Sequence, residues 1–159
     1  MSKLIEKFYN KLWTLRFLKR SGLEKGKLLE LYNSIIRPSV EYSSIIYHTL
    51  IPDHLSQKLE LIQKQAMRII FGWHRDYEEI RETHGIATLS ARREKEVLKF
   101  AIKQANSDRF RAWFPRNDEI NRDLRRGTRN VFKEPFARTE RFRNNPLIYM
   151  IRKLNENEH

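Results

Sequence analysis

The stretch bounded by Pro52 and Gly72 constrains the fold most. Between these two helix-breaking residues, Leu55, Leu59, Ile62, Ala66 and Ile69 recur at intervals of three and four. That spacing gathers them on one face of an α-helix, whereas a strand would alternate its sides at every residue. Asp53 is expected to cap the helix at its start and Gly72 at its end. Gln57, Lys64 and Arg68 share the opposite face. Leu61 and Met67 fall outside the apolar stripe, so burial on more than one side is expected.

Other segments repeat the pattern. Leu4, Ile5, Phe8, Leu12, Leu15 and Leu18 mark a first helix that Ser21-Gly22 stops. Leu28, Leu31, Tyr32, Ile35 and Ile36 form a second stripe, with Lys27, Glu30 and Ser34 on its polar side. Pro38 disfavours helical geometry at Arg37 and removes an amide donor. Residues 40–47 are therefore predicted as a separate helix, with a strand as the open alternative. A short helix is predicted over Tyr77–His84, stopped by Gly85. Thr88 or Ser90 opens the next, with Val97, Leu98, Ala101, Ile102 and Ala105 inward and Arg92, Arg93, Lys95, Lys99 and Lys103 outward.

The character changes near Asn106. Residues 107–146 hold ten arginines but one lysine, with aromatic islands and no helical stripe. An irregular, Arg-rich segment is expected there. Pro146 then suits the first turn of a last helix, capped by Asn145 and docked through Leu147, Ile148, Met150, Ile151 and Leu154. The expected fold is all-α: a bundle of about five to six helices, with an irregular Arg-rich segment and a C-terminal helix. Residues 1–106 would form the helical core, and 107–159 an extension whose terminal helix docks on it. Trp13, Trp73 and Trp113 are assigned to the core, where aromatics dominate, with a base-stacking platform as the alternative for Trp73 beside Gly72 and His74.

The low count of five glycines and five prolines agrees with helices rather than a turn-rich β architecture. With no cysteine, disulfides, thiol catalysis and Cys-ligated metals are excluded, and a reducing compartment, nucleus or cytoplasm, fits. A membrane span takes about 20 apolar residues, and Arg37, Pro38 and Glu41 interrupt the most apolar run. The N-terminus lacks the uninterrupted apolar core and small-residue cleavage site of a secretory signal. Five histidines show no metal-binding spacing, and neither a phosphate-binding glycine loop nor a nucleophile elbow is present. Glu78-Glu79 and Asp118-Glu119 point different ways on a helix and make no two-metal site. No catalytic residue, metal ligand or cofactor is expected. The net charge of +12 instead points to a polyanion, because basic side chains gain affinity by releasing counterions from phosphates.

One string of residues is recognisable. Leu31-Tyr32-x-Ser34-x-Ile36-Arg37-Pro38 precedes Glu41-Tyr42, then Lys58-Leu59-Glu60-x-x-Gln63 and Met67-Arg68-x-Ile70 with Gly72. His84-Gly85-Ile86, Leu89 and Arg92-Arg93 follow. This order resembles the region downstream of the polymerase core in reverse transcriptases of non-LTR (LINE-type) retrotransposons, transposable elements that encode an RNA-directed DNA polymerase. Residues 11–19 look like the helix just before that region, and residues 135–149 like the end of such reading frames in some animal elements. The resemblance implies a thumb and post-thumb region. The palm's Asp-Asp motif, which binds two magnesium ions in the family, is absent here. A non-catalytic, thumb-like module is therefore implied, holding RNA or an RNA/DNA hybrid by its backbone with low sequence specificity. In a longer chain its partner would be a palm domain.

The candidate nucleic-acid contacts are Lys19, Arg20, Lys64, Arg68, Arg92, Arg93, Lys99, Arg138, Arg141 and Arg143. Lys64 and Arg68 stack at i and i+4 without an acid between them. Arg92 and Arg93 open a helix, where the macrodipole disfavours cations and a charge needs some other reason to be. Glu140 is a possible internal partner for the three tail arginines. Two other readings stay open: a co-opted helical module that binds protein, and a truncated reading frame with no function of its own.

Overall fold

The computed structural model describes residues 2–42, 44–117 and 131–157. Helix α1 (Ser2–Arg20) ends where expected, with Gly22 in a positive-φ conformation that glycine adopts without strain. Phe8, Leu12 and Leu15 are buried along it; the side chains of Leu4 and Ile5 lie outside the described set.

The second stripe runs further than expected. Helix α2 (Lys25–Leu31) passes into a π turn (Tyr32–Ile36) and directly into α3 (Arg37–Glu41). The expected break at Pro38 is therefore absent, and the chain turns at Tyr42 instead, where ψ becomes extended. In a regular helix the Pro38 ring would press on the carbonyl four residues back. The wider turn, closed by the Arg37 amide donating to the Tyr32 carbonyl, precedes the ring. The Ser39 hydroxyl donates to the Ile36 carbonyl at 2.6 Å. Helix α4 (Ser44–Tyr47) is a single turn.

Helix α5 (Asp53–Phe71) buries Leu59, Ile62, Ala66 and Ile69 as its spacing demands, and Met67 as well. Leu61 is exposed, so the second buried side is limited to the Met67 row. Asp53 is the first helical residue rather than the cap. The cap position falls on Pro52, whose fixed φ costs nothing there and whose carbonyl accepts from the Leu55 and Ser56 amides. Gly72 ends the helix at φ 111°. Helix α6 (Tyr77–His84) has the expected bounds, with left-handed Gly85 behind it and an Asp76 cap in front. Helix α7 (Leu89–Ala105) is capped by Thr88, whose Oγ1 accepts from the Ala91 amide at 3.1 Å.

A 3-10 turn (Asp108–Trp113), α8 (Glu140–Arg143) and α9 (Pro146–Asn157) complete the described chain. Asn145 caps α9 as expected, its Oδ1 accepting from the Leu147 amide at 2.9 Å. The fold is all-α: among the described residues no β-strand occurs, only one isolated bridge between Arg116 and Phe132. Asp118-Glu119 and His159 lie outside the described residues.

The chain forms two compact units, Met1–Ser44 with Ile51–Arg93, and Ile45–Leu50 with Glu94–His159. In the first, α1, the 25–41 run, α5 and α6 enclose an apolar core. Gln63 is fully buried within it. It accepts from the Tyr32 hydroxyl at 2.8 Å and donates to the Tyr77 hydroxyl at 3.0 Å and the Ala87 carbonyl at 3.1 Å. In the second unit, Val97 and Ala101 of α7 pack with Phe114, Phe132 and Met150, Ile151 and Leu154 of α9. The compositional change near Asn106 lies inside this unit. The buried Asn155 amide holds both backbone groups of Phe132, accepting from its N–H at 2.9 Å and donating to its carbonyl at 3.0 Å.

Candidate nucleic-acid interface

The ten basic residues singled out in the sequence fall into two sets, one in each unit, and they differ in what already occupies them. In the first unit Arg93 is not an outward residue: it is 1% exposed, and its Nη2 donates to the Ser56 hydroxyl at 2.7 Å. Arg93 lies four residues before Val97 and eight before Ala101, so the buried row of α7 runs through it. Its guanidinium is withdrawn from any polyanion. Arg92 is committed to Glu41 through two bonds, Nε to Oε1 at 2.5 Å and Nη2 to Oε2 at 3.2 Å. Arg37 shares that carboxylate at 3.8 Å, and burial followed by the charge of Arg92 lowers its pKa. Lys19 donates to the Ile69 carbonyl at 2.5 Å, in the last turn of α5, where a cation meets the negative end of the helix dipole.

Lys64 and Arg68 are differently placed. Both are half-buried on α5, and among the described residues neither has an ion-pair partner. The Lys64 ammonium lies 5.6 Å from the Tyr77 ring centre, and the Arg68 guanidinium lies 5.5 Å from that of Trp73. Trp73 is 63% exposed, not the core residue expected from its type. Gly72 explains this: its positive φ turns the chain away from the core just before the indole. The result is a flat ring beneath a guanidinium, open to solvent, one helical turn from a lysine. Such a pair can hold a phosphate through the guanidinium edge and a base through the ring face. Arg20 is exposed at the end of α1.

In the second unit Lys99, Arg138, Arg141 and Arg143 are all exposed. Arg141 and Arg143 lie on α8, which Thr139 caps through the Phe142 amide at 3.2 Å. Glu140 forms no ion pair with the tail arginines among the described residues. The cations that do pair in this unit are Arg152 with Glu134 at 2.7 Å, and Lys153 with Glu94 and Glu156 at 2.8 Å each. Trp113, also assigned to the core from sequence, is 56% exposed.

The residues that carried the resemblance are chiefly joints of the first unit. Tyr32 and Gln63 form the buried relay, and Glu41 binds Arg92. Glu60 accepts from the Ser90 amide at 2.8 Å and so caps α7 from a neighbouring helix. Burial raises the Glu60 pKa, partly offset by that bond. Burial likewise raises the Tyr32 and Tyr77 phenols, keeping both neutral: Tyr32 donates to Gln63 and Tyr77 accepts from it. Among the described residues no three His, Asp or Glu side chains gather as a metal site would require, and no helix is long and apolar enough to cross a membrane. No family model, curated protein or solved structure matches this chain.

Proposed function

We propose that this chain is a non-catalytic nucleic-acid-binding module, akin to the thumb region of a LINE-type reverse transcriptase, that grips RNA or RNA/DNA duplex by its backbone. The reading rests chiefly on Lys64 and Arg68, two cations without acid partners among the described residues, beside the exposed Trp73 ring. The net charge of +12 supports it, because backbone gripping needs charge and reach rather than base-specific geometry. Arg20 would extend the contact in the first unit, and Lys99, Arg138, Arg141 and Arg143 would supply a second set of phosphate contacts in the other. Arg93 has no part in it, and Arg92 takes part only if Glu41 releases it.

The test is titration of the full chain into labelled RNA/DNA hybrid, followed by anisotropy across a salt series. The expected result is binding that weakens steeply with salt, with a log–log slope of about 0.9 per phosphate neutralised. Lys64→Gln with Arg68→Gln should lower that slope by about two. A hybrid that fails to bind at low salt overturns the proposal.

A further inference from the structure

The outward face of α1 has no part in the core, and only Arg20 of it belongs to the contacts above. Tyr9, Trp13 and Phe17 stand four residues apart and are 46%, 65% and 55% exposed. On a helix that spacing makes one row. The Trp13 and Phe17 rings lie nearly parallel, at 14°, with centres 5.6 Å apart, so they present one continuous aromatic surface. Arg16 and Arg20 fall on the same face by helical angle, and both are exposed. Neither has an ion-pair partner among the described residues. Glu6, at the far end of the row, is the one acid in α1.

Three features choose between occupants. Every exposed large apolar side chain described on α1 is aromatic, so the face offers flat rings rather than the mixed aliphatic surface that a partner helix fills. Arginines flank the rings, which suits a polyanion. The rungs are about 6 Å apart along the helix, against a base rise of 3.4 Å in a duplex strand. Duplex bases also hide their faces from such a row, whereas unpaired bases expose them.

We infer that the outer face of α1 binds single-stranded nucleic acid, with bases stacking on Tyr9, Trp13 and Phe17 and phosphates pairing with Arg16 and Arg20. This deepens the proposed function and rests on it, adding a single-strand site to the duplex grip.

The full chain is titrated into a short U-rich RNA strand and, separately, into an RNA/DNA hybrid. Trp13→Ala with Phe17→Ala should weaken single-strand binding at least about fivefold per stacked base lost. Hybrid affinity and the salt slope should hold, since no charge is removed. Arg16→Gln with Arg20→Gln should lower the single-strand slope by roughly 1.4. Independently of any folding defect, Trp13 emission in a Trp73→Phe/Trp113→Phe background should be quenched at saturating single strand, and unchanged emission overturns the inference. So does equal single-strand affinity of wild type and aromatic variant, leaving the duplex grip standing. Failure of both ligands to bind the wild type removes both readings. The inference also falls if the aromatic variant dissolves a dimer seen by sedimentation, or abolishes binding to anionic vesicles, since another occupant would then cover the face.

Discussion

Among the described residues each unit buries one side-chain amide, and the two amides serve different ends. Gln63 joins side chains of separate helices, reaching Tyr32 and Tyr77, and touches backbone only at Ala87. Asn155 ignores side chains and binds both backbone groups of Phe132. Helices satisfy their own backbone, so a helical core needs only to have its members held in rotation and height. An irregular segment has no such internal supply, and a buried strand-like residue must find a donor and an acceptor elsewhere. Asn155 supplies both, in the role of a missing neighbouring strand. In the described part of the Arg-rich segment the buried amide thus holds backbone, where in the first unit it joins side chains.

The sharpest way to break that contrast is Gln63→Leu, which keeps volume but strands two phenols and a carbonyl. The expected loss is about 3–5 kcal/mol in urea unfolding. Asn155→Ala should cost less, about 2–4 kcal/mol, and its effect should be local, with faster hydrogen exchange at the Phe132 amide. Smaller effects separate the units by pH. Burial raises Glu60, so its unfolded form loses the proton first and stability falls as pH rises between the ordinary glutamate value and the raised one. The hydrogen bond from Lys153 lowers Glu94, so its contribution is present at neutral pH and fades as pH falls through its depressed value. Glu60→Gln should therefore raise the unfolding midpoint at pH 7 and Glu94→Gln should lower it, each by less than about 1 kcal/mol. Both differences should vanish in acid. The smallest expected effect is Arg93→Met: being buried, its loss should leave hybrid affinity unchanged, while Arg68→Gln reduces it.

What the sequence disclosed follows from what periodicity reports. The stripes of α1, α5, α7 and α9 were legible because each helix buries one face, and Gly22, Gly85 and Asn145 act locally at the ends. Pro38 misled because its effect depends on the turn before it, and a π turn leaves no pattern in the residues. The three tryptophans misled because ring type states how much surface is worth burying, not whether a neighbour exists to bury it. Arg93 and Gln63 were in fact marked. Arg93 leads the Val97 row, and Gln63 stands between Leu59 and Met67 at intervals of four. A polar residue interrupting an apolar row signals a buried joint, and at Arg93 the charge points the other way. Of the candidate interface, the Lys64–Arg68 pair was visible, whereas Trp73, for which the sequence favours burial over a stacking platform, is exposed.

The π turn at Tyr32–Ile36 makes chain length itself a specified quantity. It consumes one residue more than an α turn, which delays everything after it by about 100° around the axis. That phase lag brings Glu41 to face Arg92 rather than solvent. Removing one residue from Tyr32–Ile36 would rotate Glu41 by about 100° away from Arg92 and return the Pro38 ring to the carbonyl four residues before it. The error of such a deletion is angular, and it differs from a substitution at exposed Ser34 or Ile35, which leaves the phase of Glu41 unchanged.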